Sequence, residues 1–261
     1  MKMKKVLALI VAAGMTTALL ASCGSKEKDD AKGSDDDKYL VMATEAGFAP
    51  YEYVDGDEVV GIDVEIAKEI AKEMGKELKI QDMDFTAALT SVQQGQADFA
   101  AAGISITPER QEQMDFSIEY ATSTQVIVVK SGDTSIASEE DLANKVVGVQ
   151  TGTTGDMVYG DPENAVQPKE LKQYKKYTQA AADLKNGKID CIVMDELPAQ
   201  LLVDANDGLE ISSTELFTDS YGLAIQKGNT ELKETIDKVL QRLMDEGKIA
   251  EFTEKYSKEA L

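Results

Sequence analysis

Three short stretches place polar groups where they could hold a small ligand. In Ser105-Ile106-Thr107-Pro108-Glu109-Arg110, Thr107 suits a helix N-cap and Pro108 the first helical position. Arg110 then falls in the first turn, where the helix dipole disfavours a cation. A bound carboxylate would relieve that conflict, because a guanidinium grips a carboxylate through two parallel hydrogen bonds; an Arg in a solvated surface turn accounts for the fragment equally well. In Gln150-Thr151-Gly152-Thr153-Thr154-Gly155, a glycine-rich turn between an expected strand and a short helix offers backbone N–H groups and two hydroxyls to an anion. It lacks the Gly-Lys-Ser/Thr ending of a phosphate loop, and a plain tight turn is the equal alternative. In Met194-Asp195-Glu196-Leu197-Pro198, Asp195 closes an apolar run, placed either to pair an ammonium group or to cap a helix. Phe48, Tyr51, Tyr53 and Phe85 stand near expected loop starts, where an aromatic face can sandwich an aliphatic chain or attract a cation, or can simply pack in the core.

Composition narrows this chemistry. The chain of 261 residues has no His, which removes Ser-His-Asp and Cys-His catalysis and every His-based metal site. Neither a metal nor a cofactor is expected. Lys and Arg total 27 against 48 Asp and Glu, a net charge of −21, which argues against nucleic-acid binding, since phosphate backbones need a basic surface. The same excess suits a well-solvated monomer. Cys191, in the apolar run Ile189-Asp190-Cys191-Ile192-Val193-Met194, reads as a small buried hydrophobe.

The elements that must position these groups alternate between strand and helix. Strands are expected at 39–43, 78–80, 97–102, 125–129, 145–150, 188–194 and 221–226. Ile62, Ile66, Ile70 and Met74 recur every four residues, an amphipathic helix stopped by Gly75. Helices are also expected at 85–94 and 178–186, each followed by Gly. A C-terminal helix presents Ile236, Val239, Leu240, Leu243 and Met244 on one face before Gly247. The alternation predicts an α/β fold with sheets flanked by helices. One internal echo stands out: helix, Gly95, then Asp98 is repeated as helix, Gly187, then Asp190. Two similar halves would face each other with their strand ends, where ligands sit in open α/β sheets.

The first residues read as an export signal: Lys2, Lys4 and Lys5, an apolar stretch from Val6 to Leu20, then small residues. Leu20-Ala21-Ser22-Cys23 resembles a bacterial lipobox, which implies cleavage before Cys23 and lipidation of its thiol. The segment 24–38 is polar and charged, too poor in apolar residues to fold, and is expected to be a flexible tether.

The runs FAPYEYVDGDEVVGIDVEIAKEIAKEMG (48–75), SITPERQEQMDFS (105–117), VGVQTGTTGD (147–156) and IDCIVMDELPA (189–199) follow one another across nearly all of 39–256. In this order they resemble the polar amino-acid-binding proteins of ABC transporters, solute-binding protein family 3, with the type-II periplasmic-binding-protein fold. The resemblance implies two lobes, 39–127 plus 222–261 and 128–221, joined by two crossings near 126–130 and 220–225 that act as a hinge. It implies that Arg110 clamps a ligand α-carboxylate with help from Ser105, the Gly103 backbone and Thr153 or Thr154. It implies that Asp195 takes the α-ammonium, that Phe48 and Phe85 sandwich the side chain, and that Glu45 lies near its tip. The family often carries a small hydroxyl residue where Ala102 stands and a polar one where Gly155 stands, so side-chain selectivity does not transfer directly.

The function so implied is delivery of a free L-amino acid, polar or cationic in its side chain, to a membrane permease. The expected location is the outer face of a bacterial cell membrane, with attachment through Cys23. No reaction on the ligand is required. The alternatives are a small-acid dehydratase on the same fold, in which Glu45 or Asp195 would have to supply acid–base chemistry, and a ligand-sensing surface protein.

Overall fold

A computed structural model describes residues 38–260. The expected signal (1–22) and the lipidated Cys23 with its tether (23–38) lie outside the described residues, Lys38 excepted. Strand β1 (Tyr39–Thr44) sends Leu40 and Met42 to one apolar cluster and Val41 and Ala43 to another. A strand apolar on both faces has to be covered on both, the usual condition of a parallel sheet. It pairs in parallel with β5 (Glu77–Asp82) and β6 (Phe99–Ala100). Antiparallel β13 (Ala224–Gln226) and β7 (Met114–Phe116) complete the order β5-β1-β6-β13-β7. A small antiparallel ribbon, β2 (Gly47–Phe48), β3 (Glu52–Asp55) and β4 (Glu58–Val60), leads into helix α1 (Ile62–Met74). Ile62, Ile66 and Ile70 are buried as their spacing requires, each contributing about 2 kcal/mol of apolar burial. Gly75, at φ +65, ends the helix, and the Lys76 N–H returns to the Ala71 carbonyl at 2.9 Å. Helix α2 (Phe85–Gln93) covers the other side of the sheet, and α3 (Pro108–Gln113) precedes β7.

The second sheet repeats the plan. Its members are β8 (Ala121–Lys130), β9 (Val146–Gln150), β10 (Glu170–Tyr174), β11 (Cys191–Asp195) and β12 (Leu209–Tyr221), in the order β10-β9-β11-β8-β12. As in the first sheet, the second strand in the order pairs in parallel on both sides and the last two pairings are antiparallel. Helices α4 (Thr154–Gly160), α5 (Tyr177–Lys185) and α6 (Glu196–Asp204) connect these strands. The chain returns to the first sheet for α7 (Thr230–Asp245) and α8 (Lys248–Glu259). Among the described residues no helix is long and apolar enough to cross a membrane.

The echo between the halves is structural. Gly95 and Gly187 both adopt left-handed backbone, at φ +68 and +71. The Asp98 carboxylate accepts the Val41 N–H (2.6 Å) while its own N–H donates to the Val41 carbonyl (3.0 Å). Asp190 makes the same pair of bonds with Val146, at 2.7 and 2.8 Å.

Several expectations are corrected. The strand expected at 125–129 extends over Ala121–Lys130 and pairs with β12 from one end to the other, so it belongs whole to the second sheet. A lobe boundary at 127/128 would cut it. The chain passes between sheets at 117–120 and 222–223, not at 126–130. The expected strand at 221–226 is two pieces, Tyr221 ending β12 and Ala224 opening β13. Strand 97–102 shrinks to Phe99–Ala100. Strands β10 and β12 escaped the sequence reading. Both are mostly polar edge strands, and register irregularities between Ile211 and Glu215 and between Glu215 and Thr218 break the alternation that would have marked β12.

The two sheets belong to one compact unit. A chain of aromatic contacts joins them: Tyr177 on Phe48, Phe48 on Tyr51, Tyr51 edge-on to Tyr221, and Tyr221 beside Tyr120, with ring centroids 5.1–6.4 Å apart. Tyr51 is thus a core aromatic, and the half-buried Tyr53 packs against the core edge-on to Tyr256.

Candidate ligand-binding cleft

The connections at the strand ends of the two sheets line one cleft. Glu45, Phe48, Phe85, Gly103, Ser105 and Arg110 come from the first sheet, and Thr153, Thr154 and Asp195 from the second. The nine residues singled out from sequence are therefore brought together, although they span 150 positions of chain.

Arg110 is only 6% exposed. The helix start expected from Thr107 and Pro108 is real, with the Thr107 hydroxyl accepting the Arg110 N–H at 3.3 Å. The guanidinium donates to the Ser105 carbonyl (2.6 Å) and, across the cleft, to the Gly152 carbonyl (2.9 Å). It lies 5.5 Å from the centre of the Phe85 ring. Among the described residues no carboxylate forms an ion pair with it. Burial lowers its pKa to about 10, with Asp219 and Asp195 opposing, so it stays cationic at neutral pH. A solvated surface arginine is ruled out.

Asp195 is 4% exposed and occupies the N-cap position of α6. Its carboxylate caps nothing: it accepts the Tyr221 hydroxyl instead. Burial pushes its carboxyl above the usual range, and the Tyr221 hydrogen bond pulls it back. The glycine-rich turn is a tight turn leading into α4, and its Thr153 and Thr154 hydroxyls are both engaged within the protein. The Thr153 hydroxyl accepts the Asp156 N–H as a helix cap and donates to the Gln150 carbonyl (2.8 Å), while the Thr154 hydroxyl donates to Asp219 (2.6 Å).

Gly103 differs from expectation. Its N–H donates to Asp63 at 3.1 Å and so is committed within the protein. What it contributes to the cleft is close approach: at φ +53, a Cβ would stand 2.7 Å from the Phe48 ring. Ala102 lines the cleft beside it, and Gly155 packs where a Cβ would come within 3.2 Å of Val193.

Glu45 is 2% exposed. One carboxylate oxygen accepts the Gln150 side-chain amide from the opposite half (3.0 Å); the other lies 3.1 Å from the Lys176 ammonium. Burial pushes its carboxyl up, and Gln150 and Lys176 oppose the shift.

The sequence reading missed Gln150, Lys176, Glu52 and Asp63 as parts of this site. Gln150 stood in a turn already noticed, but its reach across the cleft left no local mark. Glu52 lines the floor with neither carboxylate oxygen hydrogen-bonded among the described residues, and burial with the nearby Asp63 charge holds its carboxyl well above the usual range. Asp63 accepts the Gly103 N–H and the Tyr120 hydroxyl (2.6 Å), tying the cleft loop to the segment that crosses between sheets. Burial pushes its carboxyl up to about 6.

Two facing α/β halves with a polar cleft between them form a two-lobed type-II periplasmic-binding-protein fold. The chain belongs to the bacterial extracellular solute-binding proteins, family 3, which matches residues 40–259. It is 34% identical over 259 residues to the arginine-binding extracellular protein ArtP of Bacillus subtilis, covering 97% of this chain and 98% of that one. It resembles the amino acid ABC transporter substrate-binding protein AbpA of Streptococcus pneumoniae, solved bound to L-arginine, with a TM-score of 0.81 and 36% identity over 86% of this chain and 97% of that one. It also resembles an ancestral arginine-binding protein solved bound to glutamine, with a TM-score of 0.77 and 37% identity over 84% and 97%.

Proposed function

We propose that the protein captures a free L-amino acid with a polar or cationic side chain and hands it to the permease of an ABC importer. The observation that carries this reading is the Arg110 guanidinium, buried at the cleft without a carboxylate partner among the described residues, with the buried Asp195 carboxylate in the same cleft. A zwitterion is costly to desolvate unless both charges find partners, and this pair supplies them from opposite halves. Arg110 holds the α-carboxylate and Asp195 the α-ammonium. Phe48 and Phe85 flank the side chain, and Glu45 meets its far end. The lobes are 39–116 with 224–260, and 121–221, hinged at the two crossings. Ligand contacts made to both lobes favour the closed arrangement, which the permease reads. The same relatives, all named for binding rather than for a reaction, support a carrier over a dehydratase. Cys23 anchors the mature chain to the outer face of the membrane; the mass of the N-terminal peptide checks this.

The test is calorimetry and thermal melting of the purified protein against the common amino acids and cystine. A micromolar ligand at 1 mM adds about 4 kcal/mol, a shift of roughly 8 °C or more. Arg110→Ala should remove the shift for every ligand that gives one. Full affinity in that variant, with fold intact, would overturn the assignment.

A further inference from the structure

Lys176 stands where local rules disfavour it. It occupies the N-cap position of α5, in extended backbone, and makes no capping bond. Ser, Thr, Asp and Asn are the residues preferred there, and a cation is ill placed at a helix N-terminus. Such violations concentrate at functional sites. The partner that accounts for it is distant in sequence: the Glu45 carboxylate, 3.1 Å away and buried. The preceding residue, Lys175, makes a second bridge, 2.6 Å to Asp84 at the start of α2. The two pairs differ in setting. Lys175 and Asp84 are 70% and 44% exposed, whereas Lys176 is 39% exposed on a carboxylate that is 2% exposed.

The ion-pairing groups of the cleft then balance. Arg110 and Lys176 are positive; Asp195 and Glu45 are negative; Glu52, which also lines the cleft, makes no ion pair among the described residues. A zwitterionic backbone brings one charge for Arg110 and one for Asp195. Glu45 keeps Lys176 when the ligand side chain is neutral. A cationic side chain reaching Glu45 has to displace Lys176, whose half-exposed stem leaves it a path to solvent. We propose that Lys176 is an internal competitor for Glu45 and so sets the preference between neutral polar and cationic amino acids. This rests on the cleft being an amino-acid site with Glu45 at the side-chain end.

The experiment is titration calorimetry of arginine and glutamine into the wild type, K176M, K176Q, K175M, E45Q and E45Q/K176M. In K176M and K176Q, arginine should tighten by about tenfold while glutamine stays within about threefold, the size expected when a partly buried competing charge is removed. K175M, which removes an equal charge from an exposed pair, should leave the arginine-to-glutamine ratio within about twofold. In the E45Q background the Lys176 substitution should no longer move the ratio. An unchanged ratio in both Lys176 variants, or one shifted toward glutamine, overturns the proposal while leaving the amino-acid reading standing. A wild-type protein that binds no amino acid overturns that reading instead.

Discussion

The two halves of this molecule share a strand order, a pairing sense and a helix–Gly–Asp device, yet they carry opposite parts of the site. After β6 the first half places the buried cation, Arg110; at the end of β11 the second places the buried anion, Asp195. The difference teaches that the repeated scaffold is a positioning frame, with function written into the connections at the strand ends. One half alone would leave Arg110 or Asp195 without the other. Only their apposition makes a site complementary to a dipolar ligand.

The largest effect should come from separating the two charges. Arg110→Ala should weaken ligand binding by about thirtyfold or more, since truncating one partner of a buried charge pair costs about 2–5 kcal/mol. Arg110→Lys should recover little of it, because an ammonium cannot reproduce the fork that also holds the Ser105 and Gly152 carbonyls. Calorimetry on Asp195→Asn sharpens the contrast: it should lose affinity while keeping selectivity among side chains.

The next effect is a pH dependence set by a buried carboxyl. Asp63, in the first half, has its carboxyl pushed from 3.8 up to about 6 by burial. The folded state therefore holds that proton more tightly than the unfolded one. The associated stability is present below pH 4 and is lost as pH rises through 6, up to about 3 kcal/mol for a shift of this size. Urea melts from pH 4 to 8 should show this slope in the wild type and a flatter one in Asp63→Asn. Parallel profiles would remove Asp63 as its source.

Glycines test how closely each half is packed. Gly103→Ala puts a Cβ against the Phe48 ring at a left-handed position and should cost about 2 kcal/mol or more. Gly155→Ala meets Val193 at 3.2 Å with ordinary backbone and should cost under about 1 kcal/mol in thermal melts. A further pair of substitutions probes the echo itself. Asp98→Ala and Asp190→Ala each leave a strand N–H without its acceptor, costing about 1–2 kcal/mol in chemical melts. Asp98, whose bond is partly buried, should cost more than Asp190, whose bond is exposed. Equal losses would mean solvent does not discriminate the two.

Much of this was legible in the residues. Ile62, Ile66 and Ile70 declared α1, Gly75 ended it, and the Gly95/Gly187 and Asp98/Asp190 echo foretold two like sheets. Arg110 could be singled out because a cation in a first helical turn breaks a local expectation, and Asp195 because it closes an apolar run. Other features had no local signature. Strand β12 is polar and irregular, and the crossing could not be placed because β8 reads as one strand wherever its sheet lies. The commitment of the Gly103 N–H to Asp63 depends on a residue 40 positions away.

By itself the sequence determined the periodicities, the stops and the capping turns, because these depend on neighbours within a helical turn or a strand pair. It also determined which side chains carried charge without a local use. Tertiary structure alone decided which charges meet: Glu45 with Gln150 and Lys176, Arg110 with Gly152, Asp195 with Tyr221. Those contacts join residues 26 to 131 positions apart, and their strength comes from burial in the folded molecule, a property that no single stretch of chain possesses.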